Sequence, residues 1–226
     1  MKLRFSVPAL VCFLSPFTHA ATISWNFSEI VNTGGAQNTT GTGFLATSGT
    51  FLYAENTGGA AASLDGISFG DGTILFGGGQ VYTGYHAAIA TNPITGSGAY
   101  GNAGVENVTL GTGGVSAALI SGQEYRVQAI VMDGRGGQAD RTFEVDGLAT
   151  DHALGISGST WGNALLATGT FVADSATQTF SLDAKTNTGA STNAQLNGLV
   201  LHSVPEPSSS VLLGLAGLAL AARRRR

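Results

Sequence analysis

The stretch Glu124-Tyr125-Arg126-Val127-Gln128-Ala129-Ile130-Val131-Met132-Asp133 sets the architecture. Tyr125, Val127, Ala129 and Val131 share one face at the two-residue period of a strand, and Ile130 and Met132 share the other. The second half is therefore apolar on both faces, which predicts a strand in the middle of a sheet. Downstream, Gly134 to Gly137 turns the chain back into Arg141–Val145, where Phe143 and Val145 alternate with Thr142 and Glu144. Leu165–Val172 and Thr177–Ala184 read as a hairpin around Asp174-Ser175-Ala176, and Ala194–His202 as the closing strand. Upstream, Thr22–Phe27, Thr50–Glu55, Ser63–Phe69, Thr73–Phe76 and Glu106–Leu110 carry the same short alternation, punctuated by turns such as Gly70-Asp71-Gly72. No stretch sustains a 3.6-residue apolar period. The pattern predicts an all-β domain, an antiparallel β-sandwich of the jelly-roll kind, over residues 21–203.

Composition narrows the function classes. The chain has 226 residues, 34 of them Gly, and one Cys, so neither a disulfide framework nor a Cys-rich zinc site is available. Its net charge of -4 hides an uneven distribution. Lys2, Arg4 and Arg223–Arg226 are six of the ten basic residues, while only Glu206 of the acidic ones lies outside residues 21–203. The central domain thus keeps four basic residues against 13 acidic ones, a charge of -9. That excludes the basic stripe that nucleic-acid binding needs.

The two ends read as address labels. Met1–Ala20 has a basic start, an apolar run from Phe5 to Phe17, and Thr18-His19-Ala20 before a cut, the form of a secretory signal peptide. The sole cysteine, Cys12, leaves with it, so thiol catalysis is excluded from the mature protein. At the other end Val204-Pro205-Glu206-Pro207 precedes an apolar run from Val211 to Ala222 and the block Arg223–Arg226. The run is shorter than the ~20 residues of a spanning helix. These three parts in order, over residues 204–226, resemble the PEP-CTERM sorting signal. The resemblance implies recognition by an exosortase, a membrane-embedded cysteine peptidase. It also implies transient insertion into the inner membrane, tail removal near Pro205–Pro207, and delivery to the envelope surface or extracellular polysaccharide. The sandwich is thus expected to be flanked by an N-terminal signal helix and a C-terminal short hydrophobic helix.

A second resemblance lies inside the domain. Ser121-Gly122-Gln123-Glu124-Tyr125-Arg126-Val127-Gln128, Asp133-Gly134-Arg135, Arg141-Thr142-Phe143-Glu144-Val145-Asp146-Gly147, Gly169-Thr170-Phe171 and Leu196-Asn197-Gly198-Leu199-Val200-Leu201 follow the order seen in galactose-binding-like jelly rolls. The resemblance implies a fold and carries no ligand.

Catalytic templates are not met. Gly66-Ile67-Ser68-Phe69-Gly70 spells G-x-S-x-G, but it runs through the expected strand Ser63–Phe69 into the turn Gly70-Asp71-Gly72 with no helix pattern after it, so it does not read as a nucleophile elbow. Gly96-Ser97-Gly98-Ala99-Tyr100-Gly101 spells G-x-G-x-x-G but reads as a Gly-rich surface loop. His86, His152 and His202 are too dispersed for a zinc signature, and His202 reads as an edge or core residue. Glu124, Asp133, Asp140, Glu144, Asp146 and Asp151 are the carboxylates from which a glycosidase pair could be drawn, although most read as turn residues. Asp65, Asp71, Asp133 and Asp140 are the loop oxygens that would suit calcium, without an EF-hand pattern; no other cofactor is indicated. Tyr82, Tyr85 and Tyr100, with His86, stand among glycines in Gly77–Gly101, and Trp161 stands between Gly158 and Gly162. Rings on such loops can stack on sugars, and can equally cover the ends of a core.

The expectation is a secreted, exosortase-sorted, non-enzymatic surface or matrix β-sandwich that binds polysaccharide through Tyr82, Tyr85, Tyr100 and Trp161. The alternatives are a polysaccharide-acting enzyme of the glycoside hydrolase kind and a purely structural matrix component.

Overall fold

The computed structural model describes residues 21–30, 44–72, 80–83, 94, 97–111, 118–132, 141–154, 164–186 and 188–205. The two expected flanking helices, and the expected strand Thr73–Phe76, lie outside the described residues. Those residues form β1 (Ser24–Ile30), β2 (Thr50–Asn56), β3 (Ala62–Leu64), β4 (Ile67–Asp71), β5 (Gln80–Thr83), β6 (Ser97–Ala103) and β7 (Glu106–Leu110). They continue with β8 (Glu124–Val131), β9 (Arg141–Val145), β10 (Leu148–Leu154), β11 (Ala164–Val172), β12 (Gln178–Lys185), β13 (Ser191–Leu196) and β14 (Gly198–Ser203).

The strands form two sheets, antiparallel apart from the β2–β4 pair. The first runs β1-β11-β8-β14-β2-β4-β3. The second runs β10-β9-β12-β13-β6-β5, with β7 also on β12. Between them Tyr125, Val127, Ala129 and Val131 of β8 meet Phe143, Val145, Phe180, Leu182 and Leu196 from the other sheet. Phe143, Phe180 and Leu182 are wholly buried, and each such side chain contributes about 1.5–3 kcal/mol.

The central strand behaves as its sequence requires. β8 lies between β11 and β14. Its other apolar face, Ile130 and Met132, joins Leu45, Leu64, Ile67, Phe69, Ile94 and Val200 in a second small core outside the first sheet. The β3–β4 hairpin and the segment from Phe44 form that outer layer.

The structure differs from the sequence reading in five places. β8 and β9 do not return on each other but lie in opposite sheets, as do β11 and β12. The segment joining β11 to β12 is therefore an arch over the end of the sandwich, because both strands must turn their apolar sides to the same core. Ser63–Phe69 is not one strand. Asp65 and Gly66, at φ 52° and 76°, fold it into a two-residue hairpin. Ala194–His202 breaks at Asn197 into β13 and β14, again in opposite sheets. The G-x-G-x-x-G segment is strand β6 rather than a loop. Its small residues let Ala99 pack in the core, while Ser97 bonds to Asn56 at 3.1 Å.

The β9–β10 turn, Asp146-Gly147, repeats the hairpin device with φ of 50° and 72°. Asp146 extends the ladder where β9 turns away. Its Oδ1 accepts the Ser181 amide at 2.8 Å and its Oδ2 the Trp25 indole N–H at 2.7 Å. Trp25 lies across Gly169 on the paired strand. A Cβ there would come within 2.8 Å of the indole and 2.5 Å of Ile23.

Candidate functional site

A cleft opens on the outer layer of the first sheet. The strap Phe44–Ser48 is fixed over the sheet by polar bonds at Leu45, Ala46 and Ser48. Leu45 N–H donates to Asp65 Oδ2 at 2.7 Å, and Ala46 N–H to Gln128 Oε1 at 2.9 Å. Arg126 Nη1 donates to both the carbonyl and the hydroxyl of Ser48 at 3.0 Å. Gln128 is buried, and its amide is held in turn by donating to Thr168 Oγ1 at 3.2 Å.

Where this strap meets the β3–β4 hairpin, Thr47, Phe51, Gly66, Ile67, Ser68 and His202 enclose about 380 Å³. A register shift between Leu201 and His202 sets Phe51 opposite His202. The two rings meet edge to face, 5.7 Å apart and at 73°. Phe51 is 47% exposed and His202 only 2%. The His202 Nδ1 is buried without a hydrogen-bond partner. Burial first, and the Arg126 charge second, hold its pKa below the usual histidine value. The ring is therefore neutral at pH 7. The cleft offers a half-exposed aromatic face, the Ile67 side chain, and two hydroxyls on Thr47 and Ser68.

The second sheet presents a different outer surface. Its core-facing residues Ala184, Phe143 and Leu196 alternate with Asp183, Glu144 and Gln195. Glu144 and Asp183 are directly opposed across β9 and β12. Lys185 joins them, at 2.5 Å from Asp183 Oδ2 and 3.6 Å from Glu144 Oε2, and Ser191 Oγ donates to Asp183 at 2.9 Å. The hydrogen bond to Asp183 is the largest influence raising the Lys185 pKa.

The tyrosines fall on this second sheet. Register pairs Gln80 with Tyr100 and Tyr82 with Gly98, so Tyr82 and Tyr100 occupy diagonal register positions of β5 and β6. Tyr100 is half-buried, opposite Gln195 on β13. Tyr85, His86 and Trp161 lie outside the described residues, so the structure brings only Tyr82 and Tyr100 into relation.

Of the carboxylate candidates, Glu124 is in the first sheet and Glu144 in the second. Asp146 is engaged by Trp25 and Ser181. Asp151 and His152 lie in β10, and Asp133 and Asp140 are outside the described residues. Asp65 serves Leu45, and Asp71 stands exposed at the end of β4. Among the described residues, no three His, Cys, Asp or Glu side chains gather as a metal site would require.

Sequence reasoning missed the cleft. Phe51 looked like one more alternating strand residue, and only the register shift beside it turns its ring onto His202. The Asp65-Gly66 dipeptide was the available signal, since it marks the hairpin that forms one wall.

The sorting segment begins where the fold ends. Val204 N–H donates to Glu124 O at 2.9 Å, Gln123 Nε2 donates to Val204 O at 2.6 Å, and Pro205 is exposed. Glu206 and Pro207 lie outside the described residues.

Residues 203–226 match the PEP-CTERM protein-sorting motif. The motif marks the chain for exosortase recognition and for export to the cell envelope or extracellular surface. No curated protein matches the chain in sequence. Solved structures similar to it include the ANX1 and ANX2 ectodomains of Arabidopsis thaliana, each at a TM-score of 0.43, with 10% and 11% identity. These matches cover 70% of this chain and 49% and 50% of the two ectodomains, so the chain spans about half their length.

Proposed function

We propose that this exosortase-sorted chain is a non-enzymatic surface or matrix module whose domain, residues 21–203, holds polysaccharide. The cleft of Phe51 and His202 carries the reading. A sugar ring has an apolar C–H face and a rim of hydroxyls. The cleft has an aromatic face, an aliphatic wall and hydroxyl partners in matching proportion. Its volume is at the lower end of small-molecule sites, enough for one sugar unit of a longer chain. The charge of -9 on the domain favours a neutral glycan over an anionic one. In this reading the signal peptide and the transient membrane insertion of the tail serve delivery alone.

Titration calorimetry of residues 21–205 against the host's extracellular polysaccharide tests it. Phe51→Ala is expected to weaken binding about tenfold or more, the scale of a lost stacking contact and its desolvation. Unchanged binding removes the cleft from the account.

The opposed carboxylates Glu144 and Asp183 favour one second reading, a polysaccharide-acting enzyme. Directly paired strand positions place Cβ atoms about 4.5–5.5 Å apart, which lets the two carboxyl groups approach the separation of a retaining glycosidase pair. The Lys185 ammonium between them neutralises the charge that such chemistry would use. Release of reducing sugar, abolished by Glu144→Gln, would establish this reading instead.

A further inference from the structure

Both processed ends of the chain meet at one end of the sandwich. Ala21, the residue after the cut that Thr18-His19-Ala20 predicts, places its backbone nitrogen 2.8 Å from Asp174 Oδ2. Gln178 Nε2 donates to the Ala21 carbonyl at 3.0 Å. On the tail side, Val204 is held by Glu124 and Gln123. The two anchorages are joined. Ala173, next to Asp174, donates its N–H to Gln123 O at 3.0 Å and accepts the Gly122 N–H at 2.7 Å. Ser121 Oγ donates to Asp174 O at 3.2 Å. A short chain of bonds thus runs from Ala21 through Asp174, Ala173 and Gln123 to Val204.

We infer that removal of the signal creates an α-ammonium at Ala21 that pairs with Asp174, and that this pair tightens the end of the fold from which the sorting tail leaves. Before the cut, the Ala21 nitrogen is a neutral amide that offers Asp174 one ordinary hydrogen bond. Hydrolysis of the Ala20–Ala21 bond releases the signal with a new carboxylate and leaves a protonated amine on Ala21. The bond to Asp174 then becomes a charge-assisted one, which is shorter and stronger. The first processing step so firms the clamp on Val204, which opens the Val204-Pro205-Glu206-Pro207 motif that the second step uses.

The test uses residues 21–226 with a free amine, the same chain acetylated at Ala21, and Asp174→Asn in both backgrounds. The readout is amide exchange at Val204 and Gly122, with the N-terminus of the exported protein determined by mass spectrometry. The inference expects Ala21 as that N-terminus. It expects exchange about two- to fivefold slower in the free-amine chain with Asp174 than in the acetylated chain, the scale of an exposed ion pair. Asp174→Asn should abolish that difference. Equal exchange in the free and acetylated chains, a difference that survives Asp174→Asn, or a mature N-terminus elsewhere would each overturn it.

Discussion

Asn197 accepts the Met132 amide proton through its Oδ1 at 2.6 Å. This contact is one of four at Asn197 that fix where the chain leaves one sheet for the other. The same side chain donates to Ser97 O at 2.7 Å, its backbone N–H bonds to Ile130 O at 2.8 Å, and its carbonyl accepts from Thr57 at 3.0 Å. Asn197 is wholly buried between β13 and β14, so all of these bonds form away from water. They tie β2, β6 and β8 to one corner and set the register of β14, which carries His202 into the cleft.

Asn197→Ala is therefore expected to destabilise the domain by about 2–4 kcal/mol, from two buried side-chain bonds lost at once. The check is the urea midpoint of residues 21–205. A loss below about 1 kcal/mol would mean that the corner is held by its neighbours instead.

Gly169→Ala is expected to cost about 1–3 kcal/mol by overpacking, since its Cβ would press on Trp25 and Ile23. The displaced indole should also lose its bond to Asp146, which is read as a red-shifted tryptophan emission. Trp161→Phe supplies the background that isolates the Trp25 signal.

The pH dependence follows from His202. Its folded pKa lies below the unfolded value because burial, then Arg126, disfavour the imidazolium. The unfolded chain therefore binds the extra proton first, and stability falls as pH drops from about 6.5 toward the folded pKa. Above the unfolded pKa the contribution is complete. His202→Gln should flatten the thermal midpoint between pH 7 and 5, compared with the slope of the parent chain.

Much of this fold was legible in the residues, and the reasons divide clearly. β8 announced its central place because Ile130 and Met132 are apolar on the face opposite Val127 and Val131. The sandwich class followed from that period and from the turns. Pairing was not legible. β11 and β12 alternate well enough for a hairpin, and nothing local distinguishes a turn within a sheet from an arch between sheets. Asn197 looked like an ordinary residue within a strand, because the bonds that break the strand there come from β2, β6 and β8. Tyr82 and Tyr100 were visible as aromatics among glycines, but their diagonal placement depends on the β5–β6 register. The cleft was hidden for the same reason, since its walls come from three separate stretches of chain.

The most direct measurement is the dissociation constant of residues 21–205 for the host's neutral extracellular polysaccharide, compared between the parent domain and Phe51→Ala. The account expects saturable binding in the parent, weakened about tenfold or more by the substitution while the thermal midpoint holds within a few degrees. Absence of binding in the parent, or equal affinity in both, would contradict it and leave the domain as a structural component of the surface.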